Sequence, residues 1–229
     1  ISLYYIRSKT NQWTDPVAND AAYGITQTYD FYDKQMKRKG IDGANGPQSI
    51  ETKDRDTSFV PAIVHHEVGY DNAFWDGSQM VFGDGGTYCY PLVSLDICAH
   101  ELTHGVTQFT SGLIYQDEPG ALNEAFSDIM GNMVERYARG ESANTWMMGE
   151  GVLRAGGAIR YMDEPTKDGI SSDYYPERYQ GGDDNGGVHL NSGIANKAFY
   201  LVCKGGTHRK GGSMTGIGAD KATKIFYRA

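Results

Sequence analysis

The sequence lacks any apolar run near the roughly 20 residues that a membrane-spanning helix needs, so we expect no membrane partner. It also lacks an excess of basic residues: 21 Lys and Arg stand against 29 Asp and Glu, giving a formal net charge of -8. Because a nucleic-acid-binding face needs clustered Lys and Arg, we expect no nucleic-acid partner. The first residues have no basic segment followed by a long apolar one, so no signal peptide is predicted there.

Cysteine is scarce. The three cysteines, Cys89, Cys98 and Cys203, include no CxxC pair, which argues against a thiolate zinc site. At most one disulfide can form, so cysteine usage does not settle the redox compartment.

What the sequence does contain is typical of a globular protein. Apolar residues make up 39% of the 229 residues and charged residues 22%, which excludes a disordered chain. This length allows one large domain or two smaller lobes around a substantial core. Glycine is frequent, with 30 residues, and indicates many shaped loops.

Sequence periodicity predicts strands and helices first, then mostly helices. A long helix is predicted after Asp15, with Pro16 in its first position and Gly40 at its end. Residues 58–68 and 79–83 have strand patterns. From Ser94 an apolar stripe at helical spacing predicts a second helix, with a third over 123–139 and two more near the end of the chain.

The second predicted helix carries the motif HELTH, which begins at His100 and ends at His104. Two histidines one helical turn apart can bind one metal ion together, and Glu124 on the next helix could supply a third ligand. Catalytic zinc sites use three such ligands and leave one position for water. The motif alone is a weak signal, since two histidines on a solvated helix face would give the same letters.

Further segments strengthen the signal. HELTH, GLIYQ and GALNEAFSD, together with NAFWDGSQMVFGDG, DNGGVHLNSGIANKAFYL and GIGADKATKIFYRA, occur in an order that resembles the thermolysin family of zinc endopeptidases. The resemblance implies an α+β, two-lobed zinc metallopeptidase with a mixed N-terminal lobe, a central HExxH helix and a mainly helical C-terminal lobe. The expected lobes are residues 1–112 and 113–229, each without part of the family's lobe.

By this resemblance, one zinc ion is bound by His100, His104 and Glu124. Glu101 matches the general base, and helix geometry suggests that it points away from the direction of the histidines. Asp128, one turn after Glu124, matches a carboxylate that orients a zinc-bound histidine.

The resemblance also assigns residues that contact the substrate. Tyr115 and His189 match the donors to the carbonyl oxygen, and Asp184 matches the carboxylate that holds His189. Arg160 matches an arginine that binds a substrate carbonyl, and the substrate backbone is expected at Asn72 and Ala73. The apolar residues expected to form the pocket for the residue after the cut are Leu92, Ile97 and Ile159, although three apolar residues are more often plain core.

Calcium is the second metal that the resemblance implies, with one structural ion at Asp96, Glu135 and Glu150. The alternative is a solvated acidic surface, because acid clusters alone do not make a site.

The expected function is therefore that of a secreted, extracellular, monomeric zinc endopeptidase. Its substrates would be proteins and peptides, with a preference for bulky hydrophobic residues on the C-terminal side of the cut. Two alternatives stay open: a zinc aminopeptidase, although no acidic motif for a free amine precedes His100, and a non-catalytic module that zinc stabilises. Dependence of cleavage on a free N-terminus would favour the first alternative, and a chain that binds zinc without hydrolysing peptides would favour the second.

Overall fold

A computed structural model describes residues 13–46 and 61–229. In chain order, the first part contains helix α1 (Pro16–Phe31), a π-helical turn (Tyr32–Met36) and strands β1 (Ala62–His66), β2 (Ala73–Trp75) and β3 (Met80–Gly83). Two long helices follow, α2 (Leu95–Gln108) and α3 (Asp117–Arg139), then the short strands β4 (Met147–Met148) and β5 (Arg160–Tyr161). The last part contains short 3-10 turns at Pro165–Asp168 and Tyr175–Glu177, α4 (Asp184–Lys204), β6 (Gly205–Thr207), β7 (Ser213–Thr215) and α5 (Ala219–Arg228).

The first three strands form a small mixed sheet in the order β1-β3-β2, with β1 parallel and β2 antiparallel to β3. The prediction of a strand over 79–83 is correct to within one residue. The strand predicted over 58–68 is shorter, because Glu67 and Gly69 take left-handed conformations that end it; residues 58–60 lie outside the described parts of the chain. Strand β2, which sequence periodicity did not predict, contains Ala73 of the segment expected to bind substrate and lies at the edge of this sheet among the described residues.

Helix α1 begins as predicted and ends earlier. The Asp15 carboxylate accepts hydrogen bonds from the backbone N–H groups of Val17 at 2.8 Å and Ala18 at 3.2 Å, as a helix N-cap does. The predicted end at Gly40 is wrong, because Lys37 already takes the left-handed conformation with φ 60°. The π-helical turn before it lets Tyr32 reach the core, where its hydroxyl lies 2.9 Å from Thr103 Oγ1.

Helix α2 runs through the middle of the protein. All its residues except His104 and Gln108 are buried, so it has no solvated face. It packs between α1 and α3, and Gly131 of α3 allows a close approach: a Cβ there would lie 2.7 Å from the Asp96 carbonyl oxygen. The apolar stripe predicted on α2 is buried as expected, apart from Phe109, which lies just after the helix and is 42% exposed.

Helix α3 begins at Asp117, six residues before the predicted start at 123. The sequence EPG indicates a turn, but Pro119 lies in the first helical turn, where no backbone N–H is needed for the helix. Helices α3 and α4 pack along each other, and α5 closes the same side of the core. The α+β class and the helical C-terminal part are confirmed.

The cysteines and the apolar character of the helices complete the description of the fold. Cys89, Cys98 and Cys203 are all buried, and none of them forms a disulfide. Within residues 13–46 and 61–229, no helix combines the length and apolar character that a bilayer span would require.

His65 links three parts of the N-terminal region. Its Nε2 lies 2.6 Å from the Asp15 carboxylate at the start of α1, and its Nδ1 lies 2.6 Å from Asp84 after β3. The hydrogen bond to Asp15, together with Asp84, raises the pKa of His65 above its ordinary value of 6.5 despite partial burial. The same hydrogen bond lowers the pKa of Asp15.

This arrangement predicts a pH-dependent stability difference for His65→Gln. A raised folded-state pKa of His65 contributes stability that is fully present below about pH 6.5 and is lost as the pH rises through the folded-state value. We therefore expect the unfolding free energy of His65→Gln to fall below that of the unmodified protein at pH 5.5, and the difference to shrink at pH 9. Urea unfolding at both pH values measures it, and an equal difference at the two values would contradict a charged His65.

Candidate active site

The predicted metal ligands converge on one point between α2 and α3. His100 Nε2 and His104 Nε2 lie 3.0 Å apart. Each also lies near the Glu124 carboxylate, at 3.4 Å from Oε2 for His100 and 3.3 Å from Oε1 for His104. One helical turn separates the histidines on α2, and the close packing of α3 brings Glu124 to them.

These separations fit a tetrahedral zinc site. Ligand atoms about 2.0–2.1 Å from a zinc ion stand about 3.3 Å apart in tetrahedral geometry. Glu124 Oε2 is buried and, within the described chain, makes no hydrogen bond, although imidazole nitrogens lie nearby. A buried carboxylate oxygen without a hydrogen bond is costly unless a cation satisfies it, so this donor set suits a bound metal.

The pKa shifts of His100 and Glu124 are also consistent with a metal site. Burial alone would lower the pKa of His100, but the charges of Glu124 and Asp128 outweigh it and raise the pKa to about 10. Burial would raise the pKa of Glu124, yet His104 and His100 hold it well below its usual range. The site therefore favours a carboxylate facing a positive charge.

A second set of residues surrounds these ligands. His100 Nδ1 lies 3.0 Å from Asp128 Oδ1, and Arg160 binds the same carboxylate through Nε at 2.8 Å and Nη2 at 2.6 Å. His104 Nδ1 lies 2.8 Å from Asn123 Oδ1, a contact that the sequence reasoning missed. The signal was available, because Asn123 directly precedes Glu124 and a zinc-bound histidine usually has a partner for its second nitrogen.

Glu101 is buried and lies closer to the histidines than predicted. One carboxylate oxygen of Glu101 and one ring nitrogen each of His100 and His104 all lie within 4.8 Å of one another. The expectation that Glu101 points away from the histidines is therefore wrong: although residues one position apart on a helix differ by about 100° in direction, a three-bond side chain can bend back over that angle.

The opposite wall of the site comes from the start of α4. Asp184, Asn185, Gly186 and Gly187 all have positive φ, between 49° and 83°, so the chain makes a left-handed turn before the regular helix. Glycine is required at 186, where a Cβ would lie 2.0 Å from Asp117 Oδ1. The Asp184 carboxylate then accepts from the backbone N–H of His189 at 2.8 Å and lies 2.6 Å from His189 Nδ1.

This turn directs the far side of the His189 ring at the predicted metal ligands. His189 Nε2 lies 3.4 Å from Glu124 Oε2 and 3.3 Å from the Tyr115 hydroxyl, which itself donates a hydrogen bond to Glu124. Burial and the charge of Glu124 raise the pKa of Tyr115, so its hydroxyl stays protonated. His189 is 44% exposed on its side chain and can meet a ligand from outside.

The predicted substrate strand lies at the edge of the sheet. Asn72 precedes β2 and its carbonyl oxygen accepts from Gly83 N at 3.0 Å, which anchors the strand to β3. Ala73 pairs with Phe82 and is buried. Of the predicted pocket residues, Leu92 and Ile97 are buried in the core and Ile159 packs against it.

The predicted calcium residues also come together. Asp96 at the start of α2, Glu135 on α3 and Glu150 after β4 each place one oxygen within 4.8 Å of the others. Burial, together with the charges of Asp96 and Glu135, raises the pKa of Glu150 to about 8. Glu150 Oε2 is buried without a hydrogen bond to any described residue. This cluster is therefore partly buried, unlike the solvated acidic surface that the sequence left open.

Comparison with known proteins gives the family. The model of the thermolysin metallopeptidase catalytic domain matches residues 2–108, and that of the thermolysin metallopeptidase alpha-helical domain matches residues 111–229. The chain belongs to the thermolysin family of metallopeptidases. The family assignment confirms the resemblance inferred from the sequence motifs.

Individual relatives agree with this assignment. This chain is 47% identical to bacillolysin of Bacillus caldolyticus over 220 residues. The aligned region covers 94% of this chain and 38% of bacillolysin. The chain is 47% identical over 220 residues, 94% of this chain, to thermolysin of Alicyclobacillus acidocaldarius, covering 37% of that protein. Neutral protease B of Bacillus subtilis is 44% identical over 98% of this chain and 39% of its own length. The chain thus spans less than two-fifths of these relatives.

A solved structure shares the fold. The precursor of protealysin, a metalloproteinase from Serratia proteamaculans, superposes with a TM-score of 0.74 at 34% sequence identity. The match covers 86% of this chain and 62% of that chain.

The lobe boundary at 112/113 stays a prediction.

Proposed function

We propose that this protein is a zinc endopeptidase that hydrolyses peptide bonds at the site between α2, α3 and α4. The observation that carries the proposal is the convergence of His100, His104 and Glu124 with Glu101 beside them. Family membership supports a metallopeptidase, and the buried Glu124 oxygen without a hydrogen bond supports a bound cation.

In this proposal His100, His104 and Glu124 would hold a zinc ion, whose chemistry would be that of a Lewis acid toward water and a peptide carbonyl. Glu101 accepts a proton from the attacking water and transfers it to the leaving amine. Its buried position beside the histidines suits a base that works next to the metal ligands.

Two donors stabilise the negative charge that develops on the carbonyl oxygen. His189 donates from Nε2, because Asp184 engages Nδ1 and fixes the ring. Tyr115, whose hydroxyl lies 3.3 Å from His189 Nε2, turns from Glu124 to the substrate oxygen. Because both groups lie near the metal ligands, they reach the same reacting carbonyl.

Asp128 and Arg160 keep the metal ligands in place. Asp128 faces His100 Nδ1 and fixes the orientation of that ring. Arg160 uses Nε and Nη2 to bind Asp128, and its Nη1 has no hydrogen bond within the described chain, so this nitrogen is the one that can bind a substrate carbonyl.

The substrate is proposed to bind as an extended strand beside β2, with Asn72 and Ala73 contacting its backbone. The edge position of β2 supports this, since an edge strand can pair with an added one. A pocket near Leu92, Ile97 and Ile159 would favour a bulky hydrophobic residue after the cut. Secretion and a monomeric state are proposed from family membership alone.

Removing the metal tests the zinc proposal directly. We expect phenanthroline to abolish cleavage of an N-blocked peptide, because the chelator takes away the Lewis acid, and added zinc to restore it. A non-chelating phenanthroline isomer is the control and should have no effect. Activity that survives chelation would contradict the zinc proposal, and cleavage only of peptides with a free N-terminus would favour an aminopeptidase.

We also propose that Asp96, Glu135 and Glu150 bind one structural calcium ion. Three carboxylates crowded within 4.8 Å repel one another unless a proton or a cation neutralises them, and calcium takes such oxygen ligands together with carbonyl groups and water. Arg139 offsets part of this charge, with Nη1 2.6 Å from Glu135 Oε1.

Calcium should therefore stabilise the fold. At a concentration a hundred times its Kd, a ligand that binds only the folded state adds about 2.7 kcal/mol, and a rise in Tm measured by calorimetry would report it. Glu150→Gln should remove most of this rise, whereas Glu177→Gln, at an exposed acid away from the cluster, should retain it. An equal rise in both variants would exclude the proposed site.

A further inference from the structure

Asn196 is a buried residue of α4 for which the sequence suggested no role. Its side chain is 1% exposed. Nδ2 donates a hydrogen bond to Asp128 Oδ2 at 2.8 Å, while Oδ1 has no hydrogen bond to the described part of the protein. The buried Asn196 side chain therefore makes one hydrogen bond to the described part of the protein, and its partner is Asp128.

Asp128 is the point where three elements meet. Its Oδ1 faces His100 Nδ1 of α2 at 3.0 Å and Arg160 Nη2 of β5 at 2.6 Å. Its Oδ2 accepts hydrogen bonds from Arg160 Nε at 2.8 Å and from Asn196 Nδ2 at 2.8 Å. Arg160 holds both carboxylate oxygens through its two nitrogens. Asn196 adds a donor from a different element and restricts the rotation of the carboxylate further.

We infer that Asn196 is a positioning residue for the metal centre, acting through Asp128 on the imidazole of His100. This inference rests on the proposed zinc site. Partners of metal ligands set both the orientation and the basicity of the ligand ring. Removing the amide would take away one of the four contacts that hold the Asp128 carboxylate, and the His100 ring would lose part of its constraint.

The position of Asn196 also connects two parts of the site. It lies seven residues, two helical turns, after His189, so both side chains project from one face of α4. Helix α4 thus carries both His189, which is proposed to face the substrate, and Asn196, which holds Asp128 next to His100.

The chain provides a matched control. Asn132 of α3 is also 1% exposed and also leaves its Oδ1 without a hydrogen bond in the described structure. Its Nδ2, however, contacts Met162 Sδ at 2.9 Å rather than Asp128. A loss of stability caused only by removing a buried amide should therefore appear in both variants.

The test is to compare Asn196→Ala and Asn132→Ala in the zinc affinity of the metal-free protein, measured by competition with a chromophoric chelator. We expect Asn196→Ala to bind zinc about tenfold more weakly, at the lower end of the 10–100-fold range for partners of metal ligands. Cobalt substituted for zinc should show a shifted absorption spectrum in Asn196→Ala and an unchanged one in Asn132→Ala. Equal zinc affinity in both variants would overturn the inference.

A second experiment, in a protein that carries Asp128→Asn, separates an effect through Asp128 from general loosening of the core. In an Asp128→Asn protein, adding Asn196→Ala should weaken zinc binding no further, because the connecting carboxylate is gone. Additive losses would overturn the inference in favour of general loosening of the core. If Asn196→Ala does not fold, Asn196→Ser replaces it, since a serine hydroxyl is too short to reach Asp128. Failure of the unmodified protein to bind zinc would instead refute the proposed function.

Discussion

Glu101→Gln is expected to lower peptide hydrolysis by about 10²–10⁴-fold, the usual contribution of a general base. The amide keeps the size of the carboxylate but cannot accept the proton of the attacking water. Because Glu101 is not among the proposed ligands, zinc content should stay at one ion per chain. The measurement is kcat for a blocked peptide, together with metal analysis of the same sample.

The control for this variant is Glu118→Gln, which changes an exposed glutamate at the start of α3 that contacts Arg178 at 3.2 Å. It should retain full activity. Full activity in Glu101→Gln would refute the assigned base. A variant that lost both zinc and activity would instead place Glu101 among the ligands, which its position within 4.8 Å of the histidines makes a real test.

His189→Ala should produce the second large effect, a fall in kcat of about 10²–10³-fold with KM little changed. Losing one donor to the developing oxyanion has this cost, and the donor acts mainly in the transition state. Asp184→Asn should give a smaller fall, because His189 keeps its ring but loses the carboxylate that lies 2.6 Å from Nδ1.

Steady-state kinetics with one blocked peptide measures both variants. His208→Gln is the control: this histidine lies 3.2 Å from the Asp173 carbonyl oxygen, away from the metal ligands, and its replacement should leave kcat unchanged. A rise in KM with unchanged kcat in His189→Ala would show that the residue binds substrate without stabilising the transition state.

The sequence predicted the contacts that depend on local spacing. His100 and His104 converge because an α-helix places residues four apart on one face, and Asp15 caps α1 because its short carboxylate reaches the first free N–H groups. The apolar stripe of α2 was correct for the same reason. These features follow from the helix itself and need no knowledge of the fold.

Features set by tertiary packing could not be predicted in this way. The π-helical turn after α1 places Tyr32 against Thr103 of another helix, a contact that the local sequence does not indicate. The burial of α2 on both sides depends on its packing against α1 and α3. The link from Asn196 to Asp128 joins residues 68 positions apart and leaves no periodic signal in the sequence.

The burial of α2 on both sides has a consequence for how the protein opens. Since α1 and α3 cover it along its length, the histidine pair cannot separate by fraying of a surface helix, as an exposed segment can. Movement of α2 itself would require the rupture of the core that global unfolding requires. The proposed zinc ion would instead leave through side-chain motion on the side of His189, which is 44% exposed, with the fold intact.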